Sequence, residues 1–324
     1  MIYLVDADSM LPNLALMRLA TYFRARGETV RLLTKPHRDL WDPPGDVFGS
    51  SIFKYSSRRR DAFEREWGSI RWGGTGVRVE SSLSEIDSSI DWENIAPDYS
   101  LYDDRRSIGF TQRGCRLRCK FCVVPKKEGQ NRSVHTIAEI WRGAPHKRWI
   151  LLLDNDFFGQ PREQWAARVE ELIAGRFKVS FSQGINIRLI DDEAAAAIAR
   201  LEYRDNKFQE RVLYTAWDNL GDEKIFKEGV ARLAAAGVPP KHLRVYMLVG
   251  FAKGETLEQV QYRFDEMVAL GCEPFPMVYE KQREEMRVLR KFARWATRGI
   301  YRFCPFGDYD VSIKKPRVRL PVVG

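Results

Sequence analysis

The chain has 324 residues, 44% of them hydrophobic and 30% charged, with a formal net charge of +9. That length suggests about two domains at roughly 150 residues each, and the composition excludes a disordered or fibrous chain. No apolar run reaches the roughly eighteen residues of a membrane helix, so no membrane association is expected. The start, MIYLVDADSM, lacks the basic flank and small-residue cleavage site of an export signal, so a cytoplasmic location is expected. Five cysteines are too few, and odd in number, for a disulfide framework, and three crowd into eight residues, as a metal-binding set does.

In chain order, the apolar run at 2–5 predicts a strand, and Leu16, Leu19, Ala20 and Phe23 predict one face of a helix that stops at Gly27. Apolar runs at 30–33, 47–53 and 70–72, the last ending in Gly73-Gly74, complete a small Rossmann-like open α/β domain over 1–80. Residues 81–102 turn polar, acidic and serine-rich and predict a linker. From 103 to 280, six strand-like runs (108–111, 149–154, 178–183, 211–215, 243–249 and 274–279) alternate with helical patterns. Core-facing sets such as Trp165, Val169, Leu172 and Ile173, or Val260, Phe264, Met267 and Val268, mark those helices. The expected fold class is therefore α/β, a partial (βα)6 TIM-like barrel preceded by the small open domain. Ligands in such folds bind at the carboxyl ends of the strands.

Just past the first barrel strand stands Gly-Cys115-Arg-Leu-Arg-Cys119-Lys-Phe-Cys122, a CxxxCxxC pattern. Three thiolates can hold three irons of a four-iron cluster and leave one iron open, whereas a closed cluster or a structural zinc takes four ligands. With Phe121 before the third cysteine, the segment resembles the radical S-adenosylmethionine superfamily over about residues 101–280. The resemblance implies a 4Fe-4S cluster on Cys115, Cys119 and Cys122, with S-adenosylmethionine chelating the open iron. One-electron reduction by a flavodoxin- or ferredoxin-like partner then releases a 5′-deoxyadenosyl radical that abstracts hydrogen from substrate. The alternative is a zinc-stabilised nucleic-acid-binding module without catalysis, its fourth ligand being His135 or His146.

By the same resemblance, Phe121 and residues at the strand ends contact the cofactor. Where the superfamily commonly has Gly-Gly-Glu, this chain has Leu153-Asp154-Asn155-Asp156, and Asn155 and Asp156 are the candidates for the methionine ammonium. Gln183 ends the third strand and Arg188 follows it; Arg188 could pair with the methionine carboxylate, although its position equally fits a surface arginine. Asp218, in Trp217-Asp218-Asn219, is the candidate for ribose hydroxyls. Gly250 would let the nucleoside approach the backbone, while Thr256 reads as a helix N-cap.

The order of strands over 1–80, with Ser50-Ser51-Ile52-Phe53 and Gly73-Gly74-Thr75-Gly76, resembles the cobalamin-binding domain that precedes some of these barrels. The Asp-x-His-x-x-Gly pattern of that domain does not occur, and His37, in Lys35-Pro36-His37-Arg38, is the segment's only histidine. A shortened form without bound cobalamin is expected.

From Lys281 onward twelve Lys or Arg face four Asp or Glu, which accounts for eight of the nine net positive charges. Residues 281–324 read as a basic helix and tail. Arg283, Arg287, Lys291, Arg294 and Arg298 recur at helical spacing, with Lys314, Lys315, Arg317 and Arg319 beyond them. This stripe suits a nucleic acid or other polyanion, or a solvated helix face. The interleaved Trp295, Tyr301, Phe303, Phe306 and Tyr309 could stack on bases or pack the helix down.

Overall fold

The computed structural model describes residues 1–312; Lys314, Lys315, Arg317 and Arg319 of the basic tail lie outside them. The chain divides into two compact units, Met1–Gly109 with Arg113–Asn131 and Arg142–Lys147, and Phe110–Gln112 with Arg132–Trp141 and the described residues from Arg148 on.

In the first unit, β1 (Ile2–Asp6), α1 (Leu14–Arg24), β2 (Val30–Leu33), β3 (Asp46–Ser50), α2 (Ser57–Trp67) and β4 (Arg71–Gly73) form a doubly wound layer. The sheet is parallel throughout, in the order β2-β1-β3-β4, with Tyr3 opposite Arg31 on one side and Val47 on the other. Alternation along β1 explains the two cores. Ile2 and Leu4 pack with Leu16, Leu19 and Phe48, whereas Tyr3 and Val5 pack with Leu33, Phe63 and Trp67. Asn13 caps α1 by accepting from the Ala15 and Leu16 amides. Residues 81–102, polar in sequence, fold back on this unit: Trp92 is buried among Ile2, Leu4 and Leu16, with Leu83, Ile86 and Ile95 beside it. The unit also carries β5 (Ser107–Gly109) and, beyond β6 (Gln112–Arg113), α3 (Val124–Glu128).

The second unit contains β7 (Arg132–Ser133), α4 (Ile137–Ile140), β8 (Trp149–Leu152), α5 (Arg162–Ala174), β9 (Lys178–Phe181), α6 (Asp192–Arg200) and β10 (Glu202–Tyr203). After these come β11 (Leu213–Ala216), α7 (Glu223–Ala235), β12 (Leu243–Val249), α8 (Leu257–Ala269), β13 (Glu273–Val278) and α9 (Arg287–Thr297). The structure is thus mixed α/β with parallel sheets. β8 and β10 pair with β9, and β11 and β13 pair with β12, all in parallel. Between the two groups the Ile185 amide donates to the Tyr214 carbonyl at 2.8 Å, and the Thr215 hydroxyl donates to the Ile185 carbonyl at 3.0 Å. One contiguous core joins them, running from Ile150 and Val179 through Leu213, Val245 and Phe264 to Phe292.

Two sequence expectations change. β10 was not foreseen, because two residues carry no readable periodicity. Val268 is 37% exposed, since the buried stripe of α8 is Val260, Arg263, Phe264 and Met267. A charged residue occupies the helix position that a purely apolar pattern would have filled. Among the described residues no helix is long and apolar enough to cross a membrane.

Candidate cofactor site

The cysteine loop belongs to the first unit, and its two ends are tied. The Glu128 carboxylate accepts from the Arg113 Nε at 2.9 Å and from the Gly114 amide at 3.1 Å. Gly114 has φ +79, and a Cβ there would stand 2.1 Å from the Gln130 carbonyl oxygen, so this close backbone approach admits only glycine. Lys126 pairs with Glu80 at 2.6 Å, and Lys127 donates to the Ser81 carbonyl, anchoring α3 behind the loop. Within it the Cys122 amide donates to the Cys119 carbonyl at 3.0 Å, a tight turn, and the Leu117 amide points at the Cys115 sulfur at 3.4 Å.

Cys115, Cys119 and Cys122 are all partly exposed and in no disulfide, whereas Cys272 is buried. Phe121 is half-buried next to Cys122, and Arg116, Arg118 and Lys120 alternate with the cysteines on the exposed side. Those three cations would offset the negative charge of a thiolate-bound cluster. Among the described residues no three His, Cys, Asp or Glu side chains stand close enough to hold a metal ion, Cys115, Cys119 and Cys122 included. By residue type the three thiols on this tied turn are donors of the kind an iron–sulfur cluster takes, but the described structure does not gather them around one point.

The second unit places the other expected contacts at strand ends. After β8, Asp154 and Asp156 are buried and Asn155 is partly exposed. Asp154 accepts from the Thr111 amide at 2.8 Å and from its hydroxyl, and the Asp156 amide donates to Gln112 Oε1 at 2.9 Å. The fold therefore turns the two acids inward and presents the amide between them.

Past β9, Gln183 is exposed, its amide nitrogen 3.4 Å from the Ser182 hydroxyl. Arg188 sits on a short 3-10 turn and ion-pairs with Asp222 at 2.9 Å, an acid the sequence reading did not single out. Asn219 donates to the same Asp222 carboxylate at 2.7 Å. At the end of β11, Trp217 is fully buried and stacks on Phe226 with centroids 4.8 Å apart, and Asp218 accepts from the Leu248 amide at 3.0 Å. Burial pushes the Asp218 carboxyl up from its ordinary value, against the Leu248 amide and the Arg188 and Arg263 guanidiniums, which pull it down. Asp218, Asn219, Asp222 and Arg188 thus form one polar cluster.

Gly250, after β12, has φ +78 and donates its amide to Glu255 at 2.7 Å. A Cβ on it would lie 2.7 Å from the Met286 sulfur and 2.9 Å from Leu289. The close approach anticipated for a nucleoside is thus made by the chain's own side chains just before and within α9. Thr256 caps α8 with Gln259 in a reciprocal capping box, as its sequence position implied.

The basic helix is more engaged than its periodicity implied. Arg290 donates to the Lys281 and Arg283 carbonyls, both at 2.6 Å, and Arg294 to the Tyr309 hydroxyl at 3.1 Å and the Val311 carbonyl at 3.3 Å. Lys291 lies 5.5 Å from the centroid of Phe306, and Arg283 pairs with Glu280 and Glu285. Arg287 and Arg298 remain exposed. Trp295 and Tyr309 are buried, so these aromatics pack the helix down, while Phe303 is 42% exposed. No protein-family model and no curated protein sequence matches this chain.

Proposed function

We propose that this chain is an enzyme of the radical S-adenosylmethionine superfamily, with a partial (βα)6 barrel over residues 103–280. The observation that carries the reading is the tied loop with its CxxxCxxC triad, three accessible thiols and Phe121. Cys115, Cys119 and Cys122 would hold a 4Fe-4S cluster, which when bound supplies the electron for reductive cleavage of S-adenosylmethionine. Asn155 and Gln183, polar and accessible at strand ends, suit the methionine ammonium. Arg188, its charge shared with Asp222, suits the methionine carboxylate. Asp218 suits the ribose diol, and Phe121 shields the cluster edge from water. A flavodoxin- or ferredoxin-like protein is the proposed reductant. The proposed substrate is a nucleic acid or nucleotide, for which Arg287 and Arg298 are among the exposed cations of the described C-terminal region.

Anaerobic reconstitution should load about four irons per chain, as a three-thiolate cluster requires. Dithionite should then produce 5′-deoxyadenosine from S-adenosylmethionine. A fully loaded protein that yields none overturns the proposal, and zinc without iron and sulfide in anaerobically purified protein replaces it with the zinc-module reading. Binding of single-stranded nucleic acid should weaken steeply between about 50 and 200 mM salt; indifference to salt removes the nucleic-acid substrate.

A further inference from the structure

Arg263 lies in the middle of α8 on the face that meets the core, and its side chain is 0% exposed. NH1 donates to the Trp217 carbonyl at 3.0 Å; NH2 donates to the Leu248 carbonyl at 3.0 Å and to Glu255; Nε has no partner among the described residues. Each contact bears on the strand-end cluster. The Trp217 carbonyl belongs to the peptide bond leading into Asp218. Leu248, held at its carbonyl, is the residue whose amide donates to the Asp218 carboxylate at 3.0 Å. The second oxygen of Glu255 accepts the Gly250 amide at 2.7 Å. One guanidinium therefore fixes the backbone entering Asp218, the residue that orients its carboxylate, and the acid that holds the Gly250 turn.

Packing alone does not call for this residue. A buried charge is costly to desolvate, and an apolar side chain of similar length would fill the same volume without that cost. What arginine adds is a planar fork able to reach carbonyls on two adjacent strands and a carboxylate at once. We propose that Arg263 is a positioning residue for nucleoside binding: by gripping the backbone around Asp218 it holds that carboxylate in the geometry that receives a ribose diol. The inference rests on the nucleoside role proposed above for Asp218.

Titrating the full-length protein with adenosine and with 2′,3′-dideoxyadenosine tests it. The wild type should prefer adenosine by about tenfold, the scale of hydrogen bonds to a charged group. In Arg263→Lys, which keeps the charge but loses the fork, and in Arg263→Met, the preference should collapse to about onefold while dideoxyadenosine affinity stays within about twofold. A purely structural role would weaken both ligands alike and leave their ratio intact, and that result in folded variants overturns the inference alone. A wild type that binds neither nucleoside, or both equally, overturns the proposed role of Asp218 together with it. Should the arginine variants fail to fold, Glu255→Gln carries the same comparison, with the same ratio as readout.

Discussion

The Thr111 amide donates to the Asp154 carboxylate at 2.8 Å and its hydroxyl donates to the same group, with both residues buried. A carboxylate held this way serves the fold. Thr111→Val keeps the shape of the side chain but leaves a buried acceptor short of a donor, at a cost of about 1–3 kcal/mol. Thermal unfolding should show a midpoint lower by several degrees, and Thr111→Ser should recover most of it.

The thiols should separate by reactivity. Burial pushes the Cys272 thiol up to about 12, so almost none of it is thiolate at pH 8 in the folded protein. Iodoacetamide followed by peptide mass mapping should modify Cys115, Cys119 and Cys122 in cluster-free protein and spare Cys272 until denaturant is added. Serine at any one of those three positions should abolish iron loading, whereas Cys272→Ser should leave it unchanged.

Asp218 gives a pH signature. Its folded-state pKa lies above the ordinary 3.8, chiefly because burial disfavours the charged form. The folded protein therefore binds this proton more tightly than the unfolded chain. The associated stability is present below the ordinary value and is lost as pH rises through the raised one. Asp218→Asn, which cannot ionise yet still accepts from Leu248, should match the wild type in stability near pH 3 and exceed it at pH 7. Denaturant titrations at both values decide, and an advantage confined to acid contradicts the assignment.

Gly250→Ala places a side chain at φ +78 and 2.7 Å from the Met286 sulfur. The left-handed backbone alone costs an L-residue roughly 1–2 kcal/mol. Met286→Ala in the same chain should relieve the contact but not the backbone strain, so the double variant should recover only part of the loss in thermal unfolding.

Asp8 organises the loop after β3, accepting from the Ser51 hydroxyl at 2.9 Å and from the Ile52 and Phe53 amides at 2.7 and 3.0 Å. Asp8→Ala removes all three charge-assisted bonds. Hydrogen exchange should accelerate at Ile52 and Phe53, while the β1 amides, in the centre of the sheet, keep their protection.

Much of the fold is legible in the sequence because strand and helix signals are local. The apolar runs near 2–5, 30–33 and 243–249 coincide with β1, β2 and β12: β1 is buried throughout, whereas β12 alternates buried and half-buried residues, and both are patterns readable over a few residues. Gly27, Thr256 and the cysteine spacing are readable for the same reason, each depending on neighbours a few residues away. β10 and the inward turn of Asp154 and Asp156 are not, because their hydrogen-bond partners lie 24 to 44 residues distant.

The sequence by itself determined the α/β class of this protein, its parallel strands and the run of thiols from Cys115 to Cys122, all set by short-range pattern. Only the tertiary structure decided which polar residues face outward at the strand ends. It paired Arg188 with Asp222, spent Arg290 and Arg294 on nearby carbonyls and a hydroxyl, and buried Arg263 beneath Asp218. The reason is physical: a charged side chain is satisfied by whichever partner the packing brings near, and spacing along the chain does not encode that choice.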